Sequence, residues 1–129
     1  MSAQARLRIL KWVLRVAGLI MLFGWLPLSL LWPSGWGWYL QTDHLYFEVL
    51  LGVYATLGVF LIWAASDPLA HRSLIWFTAW SSLVHGGVMT WQALRDPSHF
   101  GHFWGDVPAL LVLAVLIFVL MPKHGWDLS

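Results

Sequence analysis

Ala109-Leu-Leu-Val-Leu-Ala-Val-Leu-Ile-Phe-Val-Leu120 carries no polar side chain and no alternation of apolar with polar positions. A strand of a membrane barrel needs that alternation. A segment in lipid must otherwise satisfy its backbone amides internally, so the run reads as a membrane-spanning helix. It forms the body of an apolar segment at about residues 104–121. Three more lie upstream, at about 9–31, 45–65 and 73–94. Each is long enough for the roughly 30 Å hydrocarbon layer, which takes about 20 helical residues. Eleven Trp, in a chain that is 16% aromatic, gather at the ends of these segments, where indoles favour the membrane interface. The expected fold is all-α: a four-helix transmembrane bundle that forms one integral membrane domain over residues 1–129.

Composition excludes several classes of function. With 129 residues, 60% hydrophobic and 10% charged, four spans and short connections use up the chain, and no soluble catalytic domain is expected. A net charge of +1 and the lack of a basic stripe argue against a nucleic-acid partner. The first apolar run is too long for a signal-peptide core, so the first helix is expected to stay. The absence of cysteine removes disulfide exchange and thiolate–metal chemistry. Arg6, Arg8, Lys11, Arg15, Arg72 and Lys123 fall on one side of the expected topology and Arg95 alone on the other, which puts both termini in the cytoplasm. The expected location is the bacterial inner membrane, with several passes and lipid as the first partner. Other membrane subunits or a second copy of the chain remain open as further partners.

Along the chain, Gly24 and Pro27 predict a kink near the outer end of the first helix. Trp32 to Tyr39 reads as an interfacial loop rich in Pro, Gly and Trp, and Thr42 or Asp43 as the cap of the second helix. Glu48 heads a stripe of Gly52, Ala55 and Val59 at helical spacing, which is expected to pack closely and turn Glu48 inward. In the third helix Thr78, Ser81 or Ser82, His85, Met89 and Gln92 share one face. His85 lies nine positions before Leu94, ~14 Å at ~1.5 Å per residue and so near mid-bilayer. Pro108 fits the first turn of the fourth helix, with Asp106 as its cap or first-turn carboxylate.

Glu48, His85, Gln92, His99, His102 and Asp106 are all expected in the outer half of the membrane or on its outer surface. Such groups are costly in lipid and usually face a partner or a wet cavity, so their convergence is the candidate site. Ligand binding or proton relay is the chemistry expected of Glu48, His85, Gln92, Asp106 and His102, and His85, Glu48 and Asp106 are the candidate metal ligands. Plain readings compete with each. Asp106 serves as a helix cap, loop histidines are mostly solvated, Glu48 lies one turn from water, and His85 takes a structural bond from Glu48 or Ser82. Haem ligation through His85 lacks a second mid-span histidine on a facing helix. Exporter-type acidic residues in the first helix, paired Glu-x-x-His motifs, nucleophile elbows and phosphate loops are all absent.

Glu48 with Tyr54-Ala-Thr-Leu-Gly-Val-Phe60, His71-Arg-Ser-Leu-Ile75, Ala79-Trp-Ser-Ser-Leu-Val-His85-Gly86 and Gly105-Asp-Val-Pro-Ala109 give the last two-thirds of the chain a resemblance to small bacterial four-helix membrane families of unknown function, distantly similar in layout to DoxX-like proteins. That resemblance implies an integral inner-membrane protein without an established activity, and it singles out Glu48, His85 and Asp106. The expected function is a non-enzymatic subunit or accessory binding protein with an outer-leaflet polar pocket. The alternative is a redox or transport protein that binds metal, haem, quinone or protons there. No cofactor is specified by the sequence.

Overall fold

The computed structural model describes residues 1–37 and 44–122, with residues 44–47 described by their backbone alone. All secondary structure among them is helical: α1 (Ala3–Leu19), a π turn (Ile20–Gly24), α2 (Trp25–Leu31), α3 (Pro33–Trp36), α4 (His44–Ala64), α5 (Arg72–Arg95), a 3-10 helix (Pro97–Trp104) and α6 (Asp106–Leu120). Trp38, Tyr39, the expected Thr42–Asp43 cap and Lys123 lie outside the described residues.

Local chemistry sets the boundaries. α1 starts at Ala3, ahead of the expected residue 9, because the Ser2 hydroxyl accepts the Ala5 amide at 3.2 Å and caps the free end. Pro27 cannot donate to the carbonyl four residues before it. The helix accommodates the disturbance upstream through the π turn, so Ala3–Leu31 runs on as one 29-residue helix. The Asp67 carboxylate accepts the Ala70 amide at 3.4 Å in the turn that links α4 to α5. Past α5, extended Asp96 accepts the Ser98 amide at 3.0 Å and opens the 3-10 helix. Gly105 then bends the chain by 44° into α6, and Pro122 follows the last turn.

By length and apolarity, Ala3–Leu31 is the one unbroken membrane-length helix among the described residues, and the bent pair Pro97–Trp104 with Asp106–Leu120 passes the same test only if taken as a single span. α4 is apolar along Glu48–Ala64, the part of it whose side chains are described. α5 is long enough at 24 residues, but its polar stripe keeps it below that apolarity. Among the described residues, length and apolarity thus single out one helix and one bent pair, where the sequence led to an expectation of four similar spans.

α5 packs most extensively on α6, α1 on α4, and α1 also on α6, whereas α4 and α5 touch little although they are neighbours in sequence. One core joins Leu10 and Leu14 of α1, Leu61 and Ala64 of α4, Ile75 and Ala79 of α5, and Leu113, Ile117 and Leu120 of α6. These residues mark the end of the molecule where α1 and α5 begin and α4 and α6 finish. The Arg72 guanidinium fastens that end by donating to the Pro122 carbonyl at 2.5 Å. Higher up, α1 and α4 meet backbone to backbone: a Cβ on Gly18 would lie 2.6 Å from the Gly58 carbonyl oxygen, and one on Gly58 equally close to that of Gly18. The expected stripe does not pack this way, because a Cβ at Gly52 would meet nothing within 4 Å.

Large apolar side chains cover the outside. Phe23, Leu31, Val53, Phe77, Trp80, Val84, Trp91 and Val119 are all exposed, with Leu31 at 86%.

Candidate functional site

The poor fit between α4 and α5 leaves a cleft of about 1320 Å³ whose walls come from α1, α2, α4, α5 and α6. Its lining is mainly aliphatic and aromatic. The polar exceptions on it are Tyr54, His85, Gln92, Arg95, Asp96, His99 and Asp106, in addition to the indole N–H groups of its Trp residues.

Tyr54 and His85 sit partway along it. The Tyr54 hydroxyl and His85 Nδ1 share a hydrogen bond across the gap between α4 and α5. Their ring centroids are 5.4 Å apart and the planes are inclined by 41°. Whichever group donates, the other imidazole nitrogen remains for a ligand or a proton. The partner of His85 is thus Tyr54, where the sequence pointed to Glu48 or Ser82. Much of the remaining α5 stripe is absorbed by its own helix: Thr78 donates to the Leu74 carbonyl at 2.9 Å, Ser81 to that of Thr78 at 3.2 Å and Thr90 to that of Gly86 at 2.7 Å.

The α3 turn is clasped to the 3-10 helix at the cleft's far end. A Cβ on Gly101 would lie 2.5 Å from the Ser34 carbonyl oxygen, and one on Gly105 would strike that of Gly35, so only glycine permits this approach. His102, 3% exposed, seals the contact. Its Nδ1 stands 3.1 Å from the Gly35 carbonyl oxygen and 3.0 Å from Asp106 Oδ1. Both neighbours accept, so Nδ1 carries the proton and donates to the pair. Ser29 adds a bond to the Trp36 carbonyl at 3.2 Å. His102 and Asp106 therefore have a structural task. Asp106 lies in the first turn of α6, where the helix dipole favours a carboxylate.

Arg95 and Asp96 stand where α5 ends. The Arg95 guanidinium lies 5.7 Å from the centre of the Trp91 ring. The Ser98 side chain and amide hold the Asp96 carboxyl below its ordinary range, and the nearby His99 acts in the same direction. Trp36 lines the cleft too, and its indole nitrogen is buried without a partner.

The expected residues thus divide. His85, Gln92 and Asp106 line one cleft, and His102 stands behind it, bonded to Asp106. Glu48 is exposed and is not part of that lining, so it turns away from the inward position expected of it. Among the described residues no three His, Asp or Glu converge as metal ligands, and Glu48, His85 and Asp106 do not assemble into such a set. Tyr54 and Arg95 were missed as site residues. The signal for Tyr54 was a polar ring within an apolar helix, and for Arg95 its isolation from the other Lys and Arg residues in the expected topology.

No curated protein and no solved structure matches the chain. Residues 4–129 match the family of unknown function DUF6632, and the chain belongs to that family.

Proposed function

We propose that the chain is a non-enzymatic integral membrane protein, an accessory or binding subunit, whose cleft holds a membrane-resident molecule against the Tyr54–His85 pair. The reading takes the helices as four passes through a bacterial inner membrane with both termini inside, a layout like that of DoxX-like proteins. It rests above all on the cleft of about 1320 Å³, apolar along its walls and polar at its middle and one end. Ligand sites commonly combine an apolar lining with a few fixed polar groups. Apolar exposure on this scale is also unlike the surface of a soluble monomer, and it suits a chain solvated by lipid.

The test is to identify what remains bound after purification in a mild detergent. One molecule per chain is expected, lost when Ala109→Trp fills the cleft while helix content is kept. Retention undiminished by that substitution, or an empty wild-type chain, would defeat the reading. The Tyr54–His85 pair favours a second reading, a redox or transport protein that holds haem or quinone or passes protons. A visible or quinone absorbance in the purified chain would select it.

A further inference from the structure

Building on the cleft reading, we infer that the occupant is a zwitterionic glycerophospholipid, its phosphate on Arg95, its head-group ammonium on Asp96 and its acyl chains along the cleft. The geometry supplies both charges. Arg95 is the only Lys or Arg in the described lining, and no carboxylate among the described residues lies within ion-pair distance of it. Its face against Trp91 leaves the planar fork of donors to grip a phosphate. Asp96, next in sequence, lies on the same lining; its Oδ1 accepts the Ser98 amide at 3.0 Å and its Oδ2 stands 3.7 Å from His99 Nε2, and its exposure leaves further lone pairs for an ammonium. The other carboxylate, Asp106, is engaged by His102. The mouth thus offers a cation beside an anion, the complement of a phosphate beside an ammonium.

Depth agrees with this assignment. Arg95 lies ten positions beyond His85, ~15 Å along α5 at ~1.5 Å per residue, and half of a roughly 30 Å hydrocarbon layer is the reach of one leaflet's chains. Between the two levels α5 contributes Met89 and α6 contributes Ala109 and Leu110, the last of these opposite Gly86. Trp36, with its unpaired indole N–H, borders the cleft and provides a donor for an ester or phosphate oxygen.

The experiment is competition by native mass spectrometry. The full chain, purified in detergent and stripped of lipid, is offered dioleoyl phosphatidylethanolamine, dioleoyl phosphatidylglycerol and dioleoylglycerol, which share their chains and differ in the head. Phosphatidylethanolamine should be retained best and dioleoylglycerol least. Arg95→Gln should weaken the phospholipids about tenfold or more, the scale of one charge-assisted pair, while leaving dioleoylglycerol unchanged. Asp96→Asn should bring phosphatidylethanolamine to the level of phosphatidylglycerol. Equal retention of all three lipids, an indifferent Arg95→Gln, phosphatidylglycerol held as well as or better than phosphatidylethanolamine by the unaltered chain, or a lipid-free dimer that covers the cleft would each overturn the inference. Ala109→Trp separates the two levels. If it releases lipid and Arg95→Gln does not, only the head-group assignment fails, and if neither does, the cleft reading fails with it.

Discussion

At the scale of the residue, His102 carries more of the architecture than a histidine in a polar loop would suggest. One N–H serves two buried acceptors, the Gly35 carbonyl and the Asp106 carboxylate. Truncation leaves both without that donor in a place water barely reaches, and an unsatisfied buried group costs about 1–3 kcal/mol, more when charged. His102→Ala should therefore destabilise the folded chain by about 2 kcal/mol or more, a loss visible as a lower Tm in detergent. A Tm equal to that of the parent, with ligand retention alone impaired, would make His102 a ligand contact and not a clasp. Asp106→Asn should be milder, since an amide oxygen still accepts. The sequence made the four-residue spacing of His102 and Asp106 legible. It could not announce Gly35, which is 67 positions away from His102, because a backbone carbonyl leaves no trace in residue identity.

At the scale of the element, the decisive contact is the crossing of α1 and α4. A methyl group at Gly18 or Gly58 would strike a backbone carbonyl 2.6 Å away, and backbone cannot swing aside as a side chain can. Gly18→Ala should cost about 1–3 kcal/mol, the range for overpacking a close contact. Gly87→Ala is the internal control, because its added Cβ would meet nothing within 4 Å. Relief of glycine's helical penalty should make it neutral or stabilising by up to about 1 kcal/mol. Similar Tm values for the two variants would remove the crossing as a feature that holds the helices together. Small-residue packing was a sound expectation for apolar helices, yet it was assigned to Gly52 and its stripe and not to Gly58. Both glycines lie in α4, and a uniformly apolar sequence does not say which side meets a neighbour. The break at Gly105 falls within a residue of the expected start of the fourth segment, at about residue 104, whereas its 44° angle has no counterpart in apolar composition.

At the scale of the whole molecule, helicity was legible because the Ala109–Leu120 run offers a backbone in lipid no other means of pairing. Under the proposed membrane reading, the number of crossings turns on the placement of α4, α5 and the bent pair Pro97–Trp104 with Asp106–Leu120. α5 is the critical element. Its polar stripe lowers its hydropathy, yet His85 faces Tyr54, and Thr78, Ser81 and Thr90 donate to their own helix, so much of the polarity is neutralised within the protein. A helix disguised in this way can span, and if it does, the turn before it and the turn after it lie on opposite sides. Cysteine is absent from the chain, so single thiols report position without background. Gln4→Cys, Ser66→Cys and Ser98→Cys alter exposed residues at the start of α1, before α5 and after it. A membrane-impermeant maleimide added outside intact cells should label Ser98→Cys and leave the other two unmodified until the membrane is opened. Labelling of Ser66→Cys and Ser98→Cys from one side would mean that α5 does not cross, and the two-sided cleft with its phosphate at the outer face would have no membrane to sit in.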